Sequence, residues 1–198
     1  MSRIRRPGID RIRGLAIILM MVDHVLVACS TLGVTNDGLM LTRLSLTRLA
    51  LPLFLLVSGA LWVEQLPRPR RLGSVIAAAV ALNVGMAVYW PEFSTPEVLV
   101  VWSLAAVAAP IIVRHPLAMI TLGYIQWQHW QVAWDGYQPG IVVLFLAVGA
   151  LASRAGLTPG MGAYGRLLPA PLGALGRKPL TWYVGHLTAL TVLVAIVR

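Results

Sequence analysis

The chain has little of what a soluble protein carries on its surface. Only 12% of its 198 residues are charged, whereas 58% are hydrophobic, and in soluble domains the charged share is about twice as large. Acidic residues are the scarcest, with seven Asp and Glu against sixteen Lys and Arg. This composition excludes an ordinary soluble domain and predicts an integral membrane protein.

Cysteine is almost absent as well. The single Cys29 excludes an intramolecular disulfide, and the four histidines are scattered without metal-ligand spacing, so we expect no metal. The net charge of +9 comes from short basic clusters between apolar runs. Nucleic-acid binding usually needs a basic stripe interleaved with stacking aromatics, so we expect no nucleic-acid partner.

Seven apolar runs fill the chain and predict an all-α fold, a polytopic bundle of transmembrane helices in the lipid bilayer. They lie at about residues 12–31, 46–63, 72–90, 98–113, 117–130, 140–152 and 180–197. The fifth and sixth runs are shorter than the roughly 17 to 25 residues of a simple span, which leaves six spans as the alternative count. We expect one integral-membrane domain over residues 1–198, with a structured cytoplasmic loop at 153–178.

The first run carries two ionisable residues, Asp23 and His24, in its interior. A charge near the bilayer centre costs about 2.5 to 3.5 kcal/mol on insertion scales, so the pair needs a buried partner or a function. His24 is a candidate general base, although a bond across helices explains a membrane histidine equally well. Asp23 points about 100° away from His24, which favours an ion pair with Arg43 or Arg48 over a catalytic role.

Charged residues mark the start of the first and the last run. Arg13 precedes the candidate base by eleven positions, which is about three turns and roughly 16 Å along one helix face. Asp10 lies close to that face and can pair with Arg13. The last run repeats this arrangement, since Arg177 and Lys178 stand at its start and His186 follows about two turns later.

Two further features fit an elongated, phosphorylated ligand. Arg48 and Ser58 belong to the second run, where Ser58 and the following glycine could let a ligand approach the backbone, although helix packing is the commoner role of small residues. Arg68, Arg70 and Arg71 form a cytoplasmic cluster suited to phosphate oxygens. Such clusters also occur simply because they set membrane topology.

Three stretches resemble the transmembrane acyltransferase clan, which includes acyltransferase type three, TraX-like and heparan-alpha-glucosaminide N-acetyltransferase-like proteins. They are residues 9–16 followed by His24, residues 48–54 followed by Ser58 and Gly59, and residues 176–183 followed by His186. The resemblance implies that an acyl group, with acetyl as the first candidate, moves from cytoplasmic acyl-CoA to an extracytoplasmic hydroxyl or amine. The acceptor would be a glycan, a lipid or a peptide.

The resemblance also implies roles for the residues singled out above. The catalytic set is His24 as general base or transient acyl carrier, His186, which would position the substrate, and Asp23. The acyl-CoA contacts are Arg13, Arg68, Arg70, Arg71, Arg177 and Lys178. The substrate contacts are Asp10, Arg48 and Ser58. Many clan members have more spans, so a homo-oligomer is one way to complete the acceptor site. The rival hypothesis is a non-enzymatic membrane protein, a small transporter or complex subunit, that uses Asp23 and His24 in an ion or proton path.

The loops predict the orientation of a multi-pass protein in the cell membrane. Threading seven spans from a cytoplasmic N-terminus places thirteen of the sixteen basic residues inside, and only Arg43, Arg48 and Arg198 outside. Reporter fusions at the two termini should therefore report opposite sides, with the C-terminus extracytoplasmic. The same side for both would contradict the seven-span count, and the run at 117–130 would be withdrawn first.

Overall fold

The computed structural model of the chain describes residues 6–34, 36, 38, 39, 41, 43, 47–89, 98–129 and 138–197. Most of these residues are in α-helices, and none of them is in a strand. The helices with described bounds are α1 (Pro7–Thr31), α2 (Ala50–Glu64), α3 (Pro69–Tyr89), α4 (Val98–Val107), α5 (Ala109–Arg114), α6 (Pro116–His129), α7 (Pro139–Arg154), α8 (Thr158–Gly165), α9 (Leu172–Arg177) and α10 (Pro179–Val197). A 3-10 turn at Thr47–Leu49 precedes α2.

The all-α prediction is confirmed, and each of the seven apolar runs coincides with helix. The fourth run divides into α4 and α5, because Pro110 in the first turn of α5 has no N–H with which to continue the bonding from α4. The predicted cytoplasmic loop at 153–178 is structured and carries α8 and α9. The predicted run start at residue 46 and the predicted run ends at residues 90 and 130 lie outside the described residues.

Two helical stretches are long and apolar enough to cross a membrane by length and composition, Pro7–Ser30 and Pro179–Ile196. A third is reached if α7 and α8 count as one broken span, and α2 is apolar but shorter. A simple span needs about 20 residues, whereas α6 has 14 and α7 has 16. The membrane character of the chain is therefore supported, while the seven-span count stays a prediction.

Contacts between residues group the chain into two compact units. Unit 1 takes the chain up to Phe54 and from Thr158 onward, and unit 2 is Leu55–Leu157. Helix α2 crosses the boundary between them, and the expectation of one domain over the whole chain stays a prediction. The two histidines of the predicted site both belong to unit 1.

Unit 1 is built around α1, which packs along α8, α9 and α10. Glycines make this approach close enough for backbones to touch. A Cβ atom at Gly14 would overlap the carbonyl of Leu172 at the start of α9, and one at Gly176 would overlap the carbonyl of Asp10. Because only glycine fits at such distances, the contact fixes α9 at one level along α1.

A single arginine ties the segment between α8 and α9 to α1. Arg11 Nη1 donates to the carbonyl oxygen of Arg166 at 2.8 Å and to that of Leu168 at 2.8 Å. Both carbonyls follow the end of α8, where backbone acceptors lack partners within a helix. A charged donor satisfies them strongly, so the predicted cytoplasmic loop is held against the first turns of α1.

Unit 2 uses the same kind of contact between α2 and α7. A Cβ atom at Gly59 would overlap the carbonyl of Leu146, and one at Gly149 would overlap the carbonyl of Leu56. This reciprocal contact confirms helix packing as a role of Gly59. Helices α6 and α7 are likewise packed closely against each other.

The glycine contact in unit 1 gives a direct stability test. Gly176→Ala should lower the free energy of unfolding by about 1 to 3 kcal/mol, because the added methyl group meets backbone atoms of α1 that cannot yield. The matched control is Gly185→Ala in α10, where nothing lies within 4 Å of the added atom, and where alanine should be neutral or favourable for the helix. Thermal unfolding of the purified protein in detergent measures both, and equal midpoints would contradict the packing described here.

Candidate active site

Two histidines from opposite ends of the chain lie side by side in unit 1. His24 Nδ1 and His186 Nε2 are 2.7 Å apart, although the residues are 162 positions apart in the sequence. Their rings are stacked, with centroids 5.0 Å apart and 15° between the planes. Helices α1 and α10 pack against each other and so hold the pair together. The two histidines that the sequence placed in separate runs therefore form one cluster.

A backbone carbonyl decides which nitrogen of each ring carries the hydrogen. His186 Nδ1 lies 2.8 Å from the carbonyl oxygen of Trp182, one turn earlier in α10. A carbonyl can only accept, so His186 Nδ1 is the donor, and in a neutral ring His186 Nε2 is then an acceptor. His24 Nδ1 must donate to it, which leaves the lone pair of His24 on Nε2. The arrangement points a basic nitrogen away from the pair.

Tyr183 completes the cluster and was missed in the sequence analysis. Its ring is edge-on to His24, with centroids 6.0 Å apart and an angle of 76°, and edge-on to His186 at 5.5 Å and 88°. The residue is 6% exposed. Its position three residues before His186 places both on one face of α10, and this spacing is the signal that could have identified it.

Asp23, the neighbour of His24 in the sequence, is paired with an arginine. Arg43 Nε lies 3.3 Å from Asp23 Oδ1, and both side chains are partly exposed. The predicted ion pair is thus confirmed, with Arg43 as the partner. The catalytic role given to Asp23 stays a prediction. Arg48, the other predicted partner, lies exposed in the 3-10 turn that contacts α1.

The residues predicted for the cytoplasmic end of the site lie where α1 meets α9. The carbonyl of Asp10 borders Gly176, so the turn of α1 that carries Arg13 lies beside the end of α9. Arg177 is the last residue of α9, Lys178 follows it, and both are exposed. The structure brings these predicted contacts to one end of unit 1, and their roles in binding stay predictions.

The remaining predicted site residues belong to unit 2. Ser58 is 2% exposed, and its hydroxyl has no hydrogen-bond partner in the part of the chain that the structure describes. Arg68, Arg70 and Arg71 are exposed at the start of α3. Their part in a site with the histidine pair stays a prediction. In the described ranges no three His, Cys, Asp or Glu side chains come together as metal ligands, and the expectation that no metal takes part stays a prediction.

Comparison with known families gives a match that covers most of the chain. Residues 5–187 match the family model of the heparan-alpha-glucosaminide N-acetyltransferase catalytic domain. The chain belongs to this family. The match begins just before α1 and includes both His24 and His186, and it confirms the resemblance found in the three sequence stretches. No curated protein and no solved structure matches the chain.

Proposed function

We propose that the protein is a membrane-embedded acetyltransferase that moves an acetyl group from cytoplasmic acetyl-CoA to an extracytoplasmic hydroxyl or amine. The observation that carries the proposal is the hydrogen bond between His24 and His186, within two apolar helices of a chain from an N-acetyltransferase family. Acyl transfer to a hydroxyl or amine needs a base for the incoming nucleophile. The lone pair on His24 Nε2, which has no hydrogen bond from any described residue, is such a base.

The proposed step uses His24 Nε2 to accept the proton of the acceptor. As that proton leaves, the acceptor oxygen or nitrogen forms a bond to the carbonyl carbon of the thioester. The C–S bond then breaks, and the CoA thiolate takes the proton back from His24, so the enzyme returns to its starting state. While His24 is protonated, its Nδ1–H bond to His186 becomes a charge-assisted bond and stabilises the imidazolium.

His186 acts through His24 in this scheme. Its Nε2 accepts a hydrogen bond from His24 Nδ1, and its Nδ1 donates one to the carbonyl oxygen of Trp182. Both ring nitrogens are therefore occupied, which makes His186 a positioning residue for His24 and not a direct contact of the substrate. A transient acetyl group on His24 would use the same Nε2 lone pair, and release of CoA before any acceptor is added distinguishes that route.

The donor site is proposed at the end of unit 1 where α1 meets α9. Arg13, Arg177 and Lys178 supply cations for the CoA phosphates there, and the cluster Arg68, Arg70 and Arg71 in unit 2 is also proposed to bind CoA phosphates. Arg13 lies about 16 Å below His24 along α1. Since an extended arm separates the phosphates of acetyl-CoA from its thioester, phosphates at this end can place the thioester near His24.

The acceptor side of the proposal is a glycan, lipid or peptide at the outer face. Arg48 and Ser58 are its proposed contacts, and Asp10 is a proposed substrate contact at the cytoplasmic end. The membrane arrangement is seven spans with the N-terminus inside, and a homo-oligomer could complete the acceptor site. The family description names an alpha-glucosaminide, so glucosamine is the first acceptor to test.

Replacing the proposed base should remove chemistry and spare binding. His24→Ala should insert, purify and bind acetyl-CoA, but its kcat should fall by about 100-fold to 10,000-fold, the usual contribution of a general base. The assay follows labelled acetyl groups from acetyl-CoA to glucosamine and to a panel of other amines and hydroxyls. Binding is measured separately by titration with acetyl-CoA.

Two control variants distinguish the loss of a catalytic group from general disruption of the protein. His115→Ala changes an exposed histidine of unit 2 and should leave transfer intact, whereas Arg13→Ala should weaken acetyl-CoA binding more than it lowers kcat. If a stabilised His24→Ala protein kept full transfer, His24 would be a packing residue. If the unaltered protein bound no acetyl-CoA at low or high salt, the ion-path or proton-path alternative would replace this proposal.

A further inference from the structure

The hydroxyl of Tyr183 is a buried polar group without a hydrogen-bond partner among the described residues. The side chain is 6% exposed, and no described residue forms a hydrogen bond with its hydroxyl. Buried tyrosine hydroxyls usually have a partner, because losing water without a replacement bond is unfavourable. Unlike a serine, a tyrosine cannot satisfy its hydroxyl on its own helix backbone. Its partner is therefore expected to arrive with a ligand.

The neighbouring histidine pair does not supply a hydrogen-bond partner for this hydroxyl. Both nitrogens of His186 are already engaged, one with Trp182 and one with His24. Of the four imidazole nitrogens, only His24 Nε2 has no bond among the described residues. The cluster thus offers one unused acceptor, His24 Nε2, and one unused donor, the hydroxyl of Tyr183.

These two unused groups match the two needs of acyl transfer. The nucleophile needs a base, and the carbonyl oxygen needs a donor as it becomes negatively charged. We propose that Tyr183 is a catalytic residue whose hydroxyl donates a hydrogen bond to the carbonyl oxygen of the acetyl group. This inference rests on the proposed acetyl transfer and adds a second catalytic group to the same site.

The bond changes are those of a tetrahedral intermediate. The acceptor forms a bond to the carbonyl carbon, and the C=O double bond becomes a C–O⁻ single bond that the Tyr183 hydroxyl stabilises without giving up its proton. When the C–S bond breaks, the C=O double bond forms again and the CoA thiolate leaves. His24 carries the proton of the acceptor throughout and passes it to the thiolate.

The ring contacts place both groups in one cluster. The ring centroids of Tyr183 and His24 are 6.0 Å apart, and those of Tyr183 and His186 are 5.5 Å apart. The phenol that carries the donor therefore lies directly beside the imidazole that carries the base. The ring of Tyr183 is held in place by its edge-on contacts with both imidazoles.

Tyr183→Phe removes the hydroxyl and keeps the ring that contacts both histidines. Loss of one oxyanion donor should lower kcat by about 100-fold to 1,000-fold. The affinity for S-ethyl-CoA, a thioether without the carbonyl, should stay within about threefold of the unaltered protein, because the missing bond is to the carbonyl. The matched control is Tyr164→Phe in α8, where the side chain is 76% exposed and transfer should not change.

Infrared spectroscopy supplies a readout that a packing role would not move. The probe is a ketone analogue of acetyl-CoA with a methylene group between sulfur and the carbonyl carbon, which binds but cannot transfer. Its C=O stretch should shift to lower frequency in the unaltered protein than in water, and the shift should be lost in Tyr183→Phe. If Tyr183→Phe does not fold, an unshifted band in the unaltered protein still overturns the inference.

The outcomes separate this inference from the function on which it rests. An unaltered protein that transfers no acetyl group to any acceptor overturns the proposed function itself. An active protein whose Tyr183→Phe variant keeps kcat within about threefold, while His24→Ala is inactive, overturns the role of Tyr183 alone. If Tyr183→Phe loses both kcat and the infrared shift that the unaltered protein shows, the role of Tyr183 is supported.

Discussion

The close approach of α1 to its neighbours is the constraint on which the rest of unit 1 depends. Gly14 and Gly176 let the backbones of α1 and α9 touch, and α9 leads through Lys178 directly into α10. His24 lies ten positions after Gly14, and His186 lies ten positions after Gly176. The glycine contacts hold α9 against α1, and α10, which follows α9, brings His186 beside His24.

Placing two histidines in an apolar setting is energetically unfavourable, and the hydrogen bond between them offsets part of that cost. Polar groups that lose water need partners, and each histidine supplies one to the other. The backbone carbonyl of Trp182 satisfies the remaining donor. Within this cluster, His24 Nε2 and the hydroxyl of Tyr183 have no hydrogen-bond partner among the described residues, which is the pattern expected where local stability has been traded for function.

Much of the helical architecture could be predicted from local sequence, because run length, proline position and apolar composition act over short distances. The start of α10 at Pro179 is of this kind, whereas the break before Pro110 lies inside a run that was predicted as continuous. The repeated order of basic residues followed by a histidine also indicated His24 and His186 separately. Their contact could not be read from the sequence, since it depends on packing between segments 162 positions apart.

The points that the sequence left open also depend on contacts between distant segments. Composition could not choose between Arg43 and Arg48 as the partner of Asp23, because that choice depends on the path of the chain between α1 and α2. Tyr183 looked like one aromatic residue among many until its ring was seen against both histidines. The number of spans depends on how short helices such as α6 sit in lipid, which run length alone does not decide.

The central claim is that His24 presents an unprotonated Nε2 because His186 fixes its tautomer, and nitrogen NMR tests it most directly. Protein with ¹⁵N-labelled histidine is measured in bilayers at neutral pH, and His24→Gln and His186→Gln assign the signals. We predict a hydrogen on Nδ1 and none on Nε2 for both residues, with the His24 Nδ1–H signal changed in His186→Gln. A hydrogen on His24 Nε2 would contradict the account, because the proposed base would then have no lone pair to offer.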